Sequence, residues 1–134
     1  KEIWEINEED WQQTFAVNLF GLIELSRALI PGMIERGFGR IINLSSGIKD
    51  IPQLAPYSVS KAAVDKYTSD LAAGLRGTNV LVNGLDPAWL KTDLGGPNAD
   101  FAVETVLPGA LVPALLDENG PNGQIFAAQD YHDN

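Results

Sequence analysis

Cysteine is absent from the 134 residues, which removes both a disulfide framework and a thiolate metal site. Histidine occurs once, as His132 in the polar tail "DYHDN", where a solvated side chain is expected and no metal site is supported. Basic residues are scarce. The 9 Lys and Arg stand against 18 Asp and Glu, giving a net charge of −9 and a field that repels phosphate backbones and anionic membranes. Nucleic acid is therefore not an expected partner. No uninterrupted apolar run reaches the ~18 residues of a spanning helix, because Glu24 and Arg27 break the longest one. The start "KEIWEINEED" also lacks a signal peptide's basic-then-apolar layout. These absences predict a soluble, cytoplasmic protein with no membrane association. The first residue is Lys1 rather than methionine, so an upstream segment is expected as well.

An apolar content of 45% suffices for a core, and the length fits a single domain over residues 1–134. In "NEEDWQQTFAVNLFGLIELSRALIPGMIERG", Asn7 is placed to cap a helix beginning near Glu8, with acidic residues in the first turn. Trp11, Phe15, Leu19, Leu22, Leu25, Leu29 and Met33 recur at spacings of three and four, predicting one long helix with a buried face. Pro31 should kink it and Gly37 should end it. "RIINLSS" and "NVLVNGL" read as buried parallel strands, and "APYSVSKAAVDKYTSDLAAGLRG" as the helix between them, with Pro56 in its first turn. "FAVETVLPGALVPALLDENG" looks helical, bent or divided by Pro108 and Pro113, and "GQIFAAQ" closes as a strand. Alternating helices and strands of this kind predict an α/β fold: a parallel sheet of about three strands with crossover helices, three of them long.

Tyr57 and Lys61 are four apart on a predicted helix, so their side chains share a face one turn apart. An ammonium beside a phenol favours the phenolate, which suits the pair to acid–base work at neutral pH. Taken alone, Tyr-x-x-x-Lys is a weak signal that favours a partly exposed surface pair. Ser45 and Ser46 end a predicted strand, at the sheet edge where α/β folds bind ligands, and alternation lets at most one of them point into a cleft. Asn18 is a polar residue amid "FAVNLFGLIEL", whose plain explanation is a bond to the preceding turn's carbonyl. "DPAWLKTD" follows the second strand at the same edge, with Thr92 as a helix cap the plain alternative. Trp89 serves equally as a substrate wall or as packing over the loop.

Together, "NLFG", "GRIINLSS", "YSVSKAAVDKYT" and "NVLVNGLDPAWLKTD" stand in the order and approximate spacing of the short-chain dehydrogenase/reductase family, which the chain resembles over nearly its whole length. The resemblance implies a Rossmann-like fold and NAD- or NADP-dependent hydride transfer at a carbonyl or alcohol of a small-molecule substrate. It implies Tyr57 as the acid–base group and Lys61 as the residue that favours its anion and holds the nicotinamide ribose. It further implies Ser46 as the hydrogen-bond donor to the substrate oxygen, Asn18 as support for a water relay, and Pro87, Leu90 and Thr92 as contacts to the nicotinamide.

Two departures lie inside the matched region. The loop between Ser46 and Tyr57 is slightly short for the family, which keeps Ser45 as an alternative. Ala88 stands where the family commonly has glycine, at a cost of about 1 kcal/mol or more if φ is positive there. The family's glycine-rich phosphate-binding turn precedes the matched region, and neither "GFGR" nor "GGPNAD" has the strand–turn–helix context to replace it. The sequence reads as the second, catalytic half of such a dehydrogenase. An open strand edge and bare helix faces then predict a homo-oligomer or association with the missing half. Two other readings stand beside it: a hydrolase in which Tyr57 and Lys61 activate Ser46, although no "GxSxG" elbow is present, and a folded fragment without activity.

Overall fold

A computed structural model describes residues 2–47, 51–91 and 96–131. The Asn7 side chain accepts the Asp10 N–H at 2.8 Å and caps α1 (Glu8–Phe15) as expected. A π-helical turn, Ala16–Phe20, joins α1 to α2 (Gly21–Arg36), which ends on Gly37 in the left-handed region at φ 73°. The irregularity predicted at Pro31 thus has a counterpart earlier, around Asn18; Pro31 itself lies inside α2.

The predicted buried stripe is the main difference from expectation. Ser26 is the buried residue of α2, whereas Leu25 is 61% and Leu29 48% exposed. The helix contacts β1 (Gly39–Leu44) and β2 (Val80–Asp86), and β1 pairs with β2 alone among the described residues, so much of the apolar spacing of α2 meets no strand there. By length and composition alone Glu8–Arg36 could also cross a membrane, with a mean hydropathy of 1.4 over its most apolar 18 residues. The expectation of no such segment counted uninterrupted apolar residues, whereas an averaged window tolerates Glu24 and Arg27. Those two residues pair with each other at 2.9 Å, and the helix contacts β1 and β2.

β1, β2 (Val80–Asp86) and β5 (Ile125–Ala127) form a parallel sheet in the order β1-β2-β5. Central β2 is buried from Val80 to Leu85, which explains its continuous apolar run. α3 (Ala55–Gly74) crosses between β1 and β2 and buries Ser60, Val64, Thr68 and Ala72 at helical spacing against the sheet. Buried Asn43 donates to Thr68 Oγ1 at 2.9 Å, so the polar members of this interface satisfy one another. Asn83, also buried, donates to the Pro121 carbonyl at 3.0 Å and accepts the Gln124 N–H at 3.0 Å, which fixes the chain's return into β5. On the other face, the Arg40 guanidinium donates to the carbonyls of Leu116, Gly39 and Asn79 and lies 4.4 Å from the Phe38 ring centroid.

The third expected helix is not α-helical. It consists of two 3₁₀ segments, Val103–Val106 and Gly109–Ala114, with Leu107 and Pro108 between them. The two prolines remove donors that an α-helix would need, and Gly109 sits where a Cβ would collide with the Ala128 backbone. A short parallel pair joins β3 (Leu90–Lys91), in the loop after β2, to β4 (Phe101–Ala102), the first two residues of the stretch expected to be helical.

Candidate active site

The carboxyl ends of β1 and β2 bring the predicted residues together. Alternation along β1 carries past its end: Ser45 is buried and its N–H donates to Leu85 O at 2.7 Å, while Ser46 is half-buried. Ser45 thus continues the strand pairing, and Ser46 is the more accessible serine at the edge.

The first turns of α3 return to that edge and present half-buried Tyr57 and Lys61. Lys61 Nζ donates to the Leu44 carbonyl, the last residue of β1, at 3.1 Å and lies 5.8 Å from the Tyr57 ring centroid. This is the juxtaposition that the i, i+4 spacing implies, with the ammonium tethered to the strand end. Desolvation lowers the Lys61 pKa from its ordinary 10.5, and the nearby Asp65 carboxylate partly offsets that by favouring the charged form. Asp65 follows Lys61 by one further turn, and its Oδ1 is buried without a hydrogen-bond partner. Sequence reasoning passed over Asp65, although its i+4 spacing from Lys61 was the available signal.

Asn18 sits in the π-helical turn, a local irregularity frequent at functional sites. Its Nδ2 donates to Ser60 Oγ at 3.0 Å, and Ser60 Oγ donates to the Tyr57 carbonyl at 2.7 Å. The plain sequence explanation, a bond to the preceding turn of its own helix, therefore gives way to a tertiary one. Asn18 and Ser60 link the long helix to the turn that carries Tyr57. A cavity of about 290 Å³ adjoins Tyr57, lined also by Ile6, Asp10, Thr14, Gln53 and Leu54.

The loop after β2 supplies half-buried Pro87 and Leu90 at the same edge; Thr92 lies outside the described residues. Ala88 adopts φ 67°, the left-handed conformation that the family's glycine accommodates. The anticipated cost is real, and Asp86 counters it: its Oδ1 accepts the Ala88 N–H at 2.9 Å. Gln129 Nε2, just past the end of β5, donates to the Pro87 carbonyl at 3.4 Å.

Residues 1–101 match the family model described as short chain dehydrogenase. An uncharacterized oxidoreductase of Bacillus subtilis, YvrD, is 36% identical over 119 residues, covering 87% of this chain and 42% of that protein. The 3-oxoacyl-[acyl-carrier-protein] reductase FabG of Thermotoga maritima is 36% identical over 104 residues, covering 76% of this chain and 42% of that protein. Among solved structures, a 3-oxoacyl-[acyl-carrier protein] reductase with bound NAD from Brucella melitensis superimposes with a TM-score of 0.81 at 29% identity, over 95% of this chain and 53% of that one. A gluconate 5-dehydrogenase from Burkholderia cenocepacia, in complex with NADP and tartrate, does so with a TM-score of 0.79 at 26% identity, over 95% and 57%. The chain thus spans less than half the length of these curated relatives and somewhat more than half of these solved structures. With its parallel sheet, crossover helices and this match over most of its length, the chain belongs to the short chain dehydrogenase family.

Proposed function

We propose that this chain carries the proton-transfer side of an NAD(P)-dependent oxidoreductase acting on a small carbonyl or alcohol. The observation that supports it most is Lys61, tethered by Leu44 O at the end of β1 while standing 5.8 Å from the Tyr57 ring. Of the ammonium's three donors one goes to Leu44, leaving two that suit ribose hydroxyls. Pro87, Leu90 and Thr92 would complete the contacts to a nicotinamide, and the cofactor, when bound, supplies or takes up the hydride.

The remaining steps belong to this chain's own groups. Tyr57 Oη gives its proton to the substrate oxygen in the reducing direction and withdraws it in the oxidising one. The Lys61 charge stabilises the phenolate formed by that transfer, and the partial desolvation of its surroundings strengthens the effect. Ser46 donates a hydrogen bond to the substrate oxygen. Asn18 holds the Tyr57 turn through Ser60 and supports a water that returns protons to Lys61. The exposed apolar side chains of the π-helical turn and α2, together with the edge of β1 left unpaired among the described residues, favour association with further polypeptide, a second copy included.

The test is titration of the chain with NADH and NADPH, followed by carbonyl-dependent oxidation at 340 nm, repeated on a form extended upstream. Nucleotide binding and turnover by either form supports the proposal. Absence of both from both forms rejects it.

A further inference from the structure

Asp86, the last residue of β2, touches both loops at the carboxyl edge of the sheet. Its Oδ1 accepts the Ala88 N–H at 2.9 Å, and its Oδ2 faces Gly47, where a Cβ would come within 3.2 Å. Ala88 is the one non-glycine residue with positive φ among the described residues. A side chain makes that conformation unfavourable, and the bond from its own N–H to an acceptor two residues back favours that same turn. Gly47 in turn allows the carboxylate to approach the chain directly after Ser46, where a Cβ would require the Asp86 side chain to give by a few tenths of an ångström.

We infer that Asp86 is a positioning residue. Through its two oxygens it holds the loop of Pro87 and Leu90 beside the chain after Ser46. That this loop faces a nicotinamide rests on the function proposed above; the clamp itself does not. The bond to Ala88 requires an acceptor and not a charge, so asparagine should replace aspartate and alanine should not. The far part of the same loop is held by the Phe101 N–H bond to Trp89 O at 3.1 Å and the β3–β4 pairing, and Gln129 reaches Pro87 O at 3.4 Å; Asp86 is the restraint on Ala88 itself.

The experiment compares the parent with Asp86→Asn, Asp86→Ala and the double variant Asp86→Ala/Ala88→Gly. Its readouts are thermal midpoint, exchange of the Ala88 amide and the Gly47 amide resonance. Asp86→Ala should lower the midpoint by about 3–6 °C, speed Ala88 exchange roughly tenfold and shift the Gly47 resonance. Asp86→Asn should keep the midpoint and the exchange rate near parental, and Ala88→Gly should restore the midpoint lost with Asp86→Ala. Asparagine failing as alanine does, no recovery with Ala88→Gly, or a Gly47 resonance unmoved by Asp86→Ala would each overturn the inference. None of these readouts uses nucleotide, so failure of the oxidoreductase proposal would appear separately, as absent NADH and NADPH binding with the clamp intact.

Discussion

The sheet's interior towards its carboxyl edge and the flank formed by the π-helical turn, α2 and the edge strand β1 differ in how far the chain covers its own residues. At the edge, β2 is buried along its length and Asn43, Asn83 and Ser60 have found partners within the chain. On the flank, Val17, Phe20 and Leu25 are 77%, 56% and 61% exposed, and β1 pairs only with β2 among the described residues. A groove of about 190 Å³ between α2 and β1, lined by Leu22, Ser26, Met33 and Ile42 among others, opens along that side. The contrast teaches that apolar periodicity reports what a helix is adapted to bury, while actual burial depends on what stands opposite. The edge satisfies its own polar groups, whereas the flank leaves apolar side chains exposed.

The largest effect should come from Tyr57→Phe, which removes the acid–base hydroxyl and should lower nucleotide-dependent turnover by about 10²-fold or more in whichever form is active. A thermal midpoint unchanged to within about 1 °C would assign that loss to chemistry, and full activity would remove Tyr57 from its role. Asn83→Ala comes next. It orphans the Gln124 N–H and the Pro121 carbonyl beside a buried strand, and urea unfolding should show a loss of about 2–4 kcal/mol.

Leu25→Lys on the flank should by contrast stay within about 0.5 kcal/mol in the monomer, while weakening concentration-dependent association in sedimentation. A loss as large as that of Asn83→Ala would show that the flank is covered within the monomer, and the comparison would fail. The smallest effect is a pH dependence. The folded-state pKa of Lys61 lies below 10.5, so between the two values the unfolded chain binds more protons and stability rises with pH. The parent should therefore gain on Lys61→Met as pH climbs through that window towards 10.5, measured as the difference in urea midpoints. Asp65→Asn, by removing the charge that favours the ammonium, should extend the window downward.

Much of the site was legible because it depends on local spacing. Tyr57 and Lys61 share a face through helical periodicity alone, and alternation past β1 separates buried Ser45 from half-buried Ser46. Asn18 was legible only through resemblance. Its partner Ser60 lies 42 residues away, and no local rule connects a π-helical turn to the next helix. Thr92 and His132 lie outside the described residues.

By itself the sequence determined the order of elements, the cap at Asn7, the stop at Gly37, the parallel character of the strands and the pairing of Tyr57 with Lys61. Each follows from interactions among residues a few positions apart, whose geometry the backbone dictates. Only the tertiary structure decided that Lys61 is tethered to Leu44 O, that Asp86 holds Ala88 in a left-handed turn against Gly47, that the third helix is 3₁₀ and that the stripe of α2 is left exposed. Those outcomes depend on which strand ends and helix faces meet across the sheet, and contacts between distant segments leave no periodic trace in the chain.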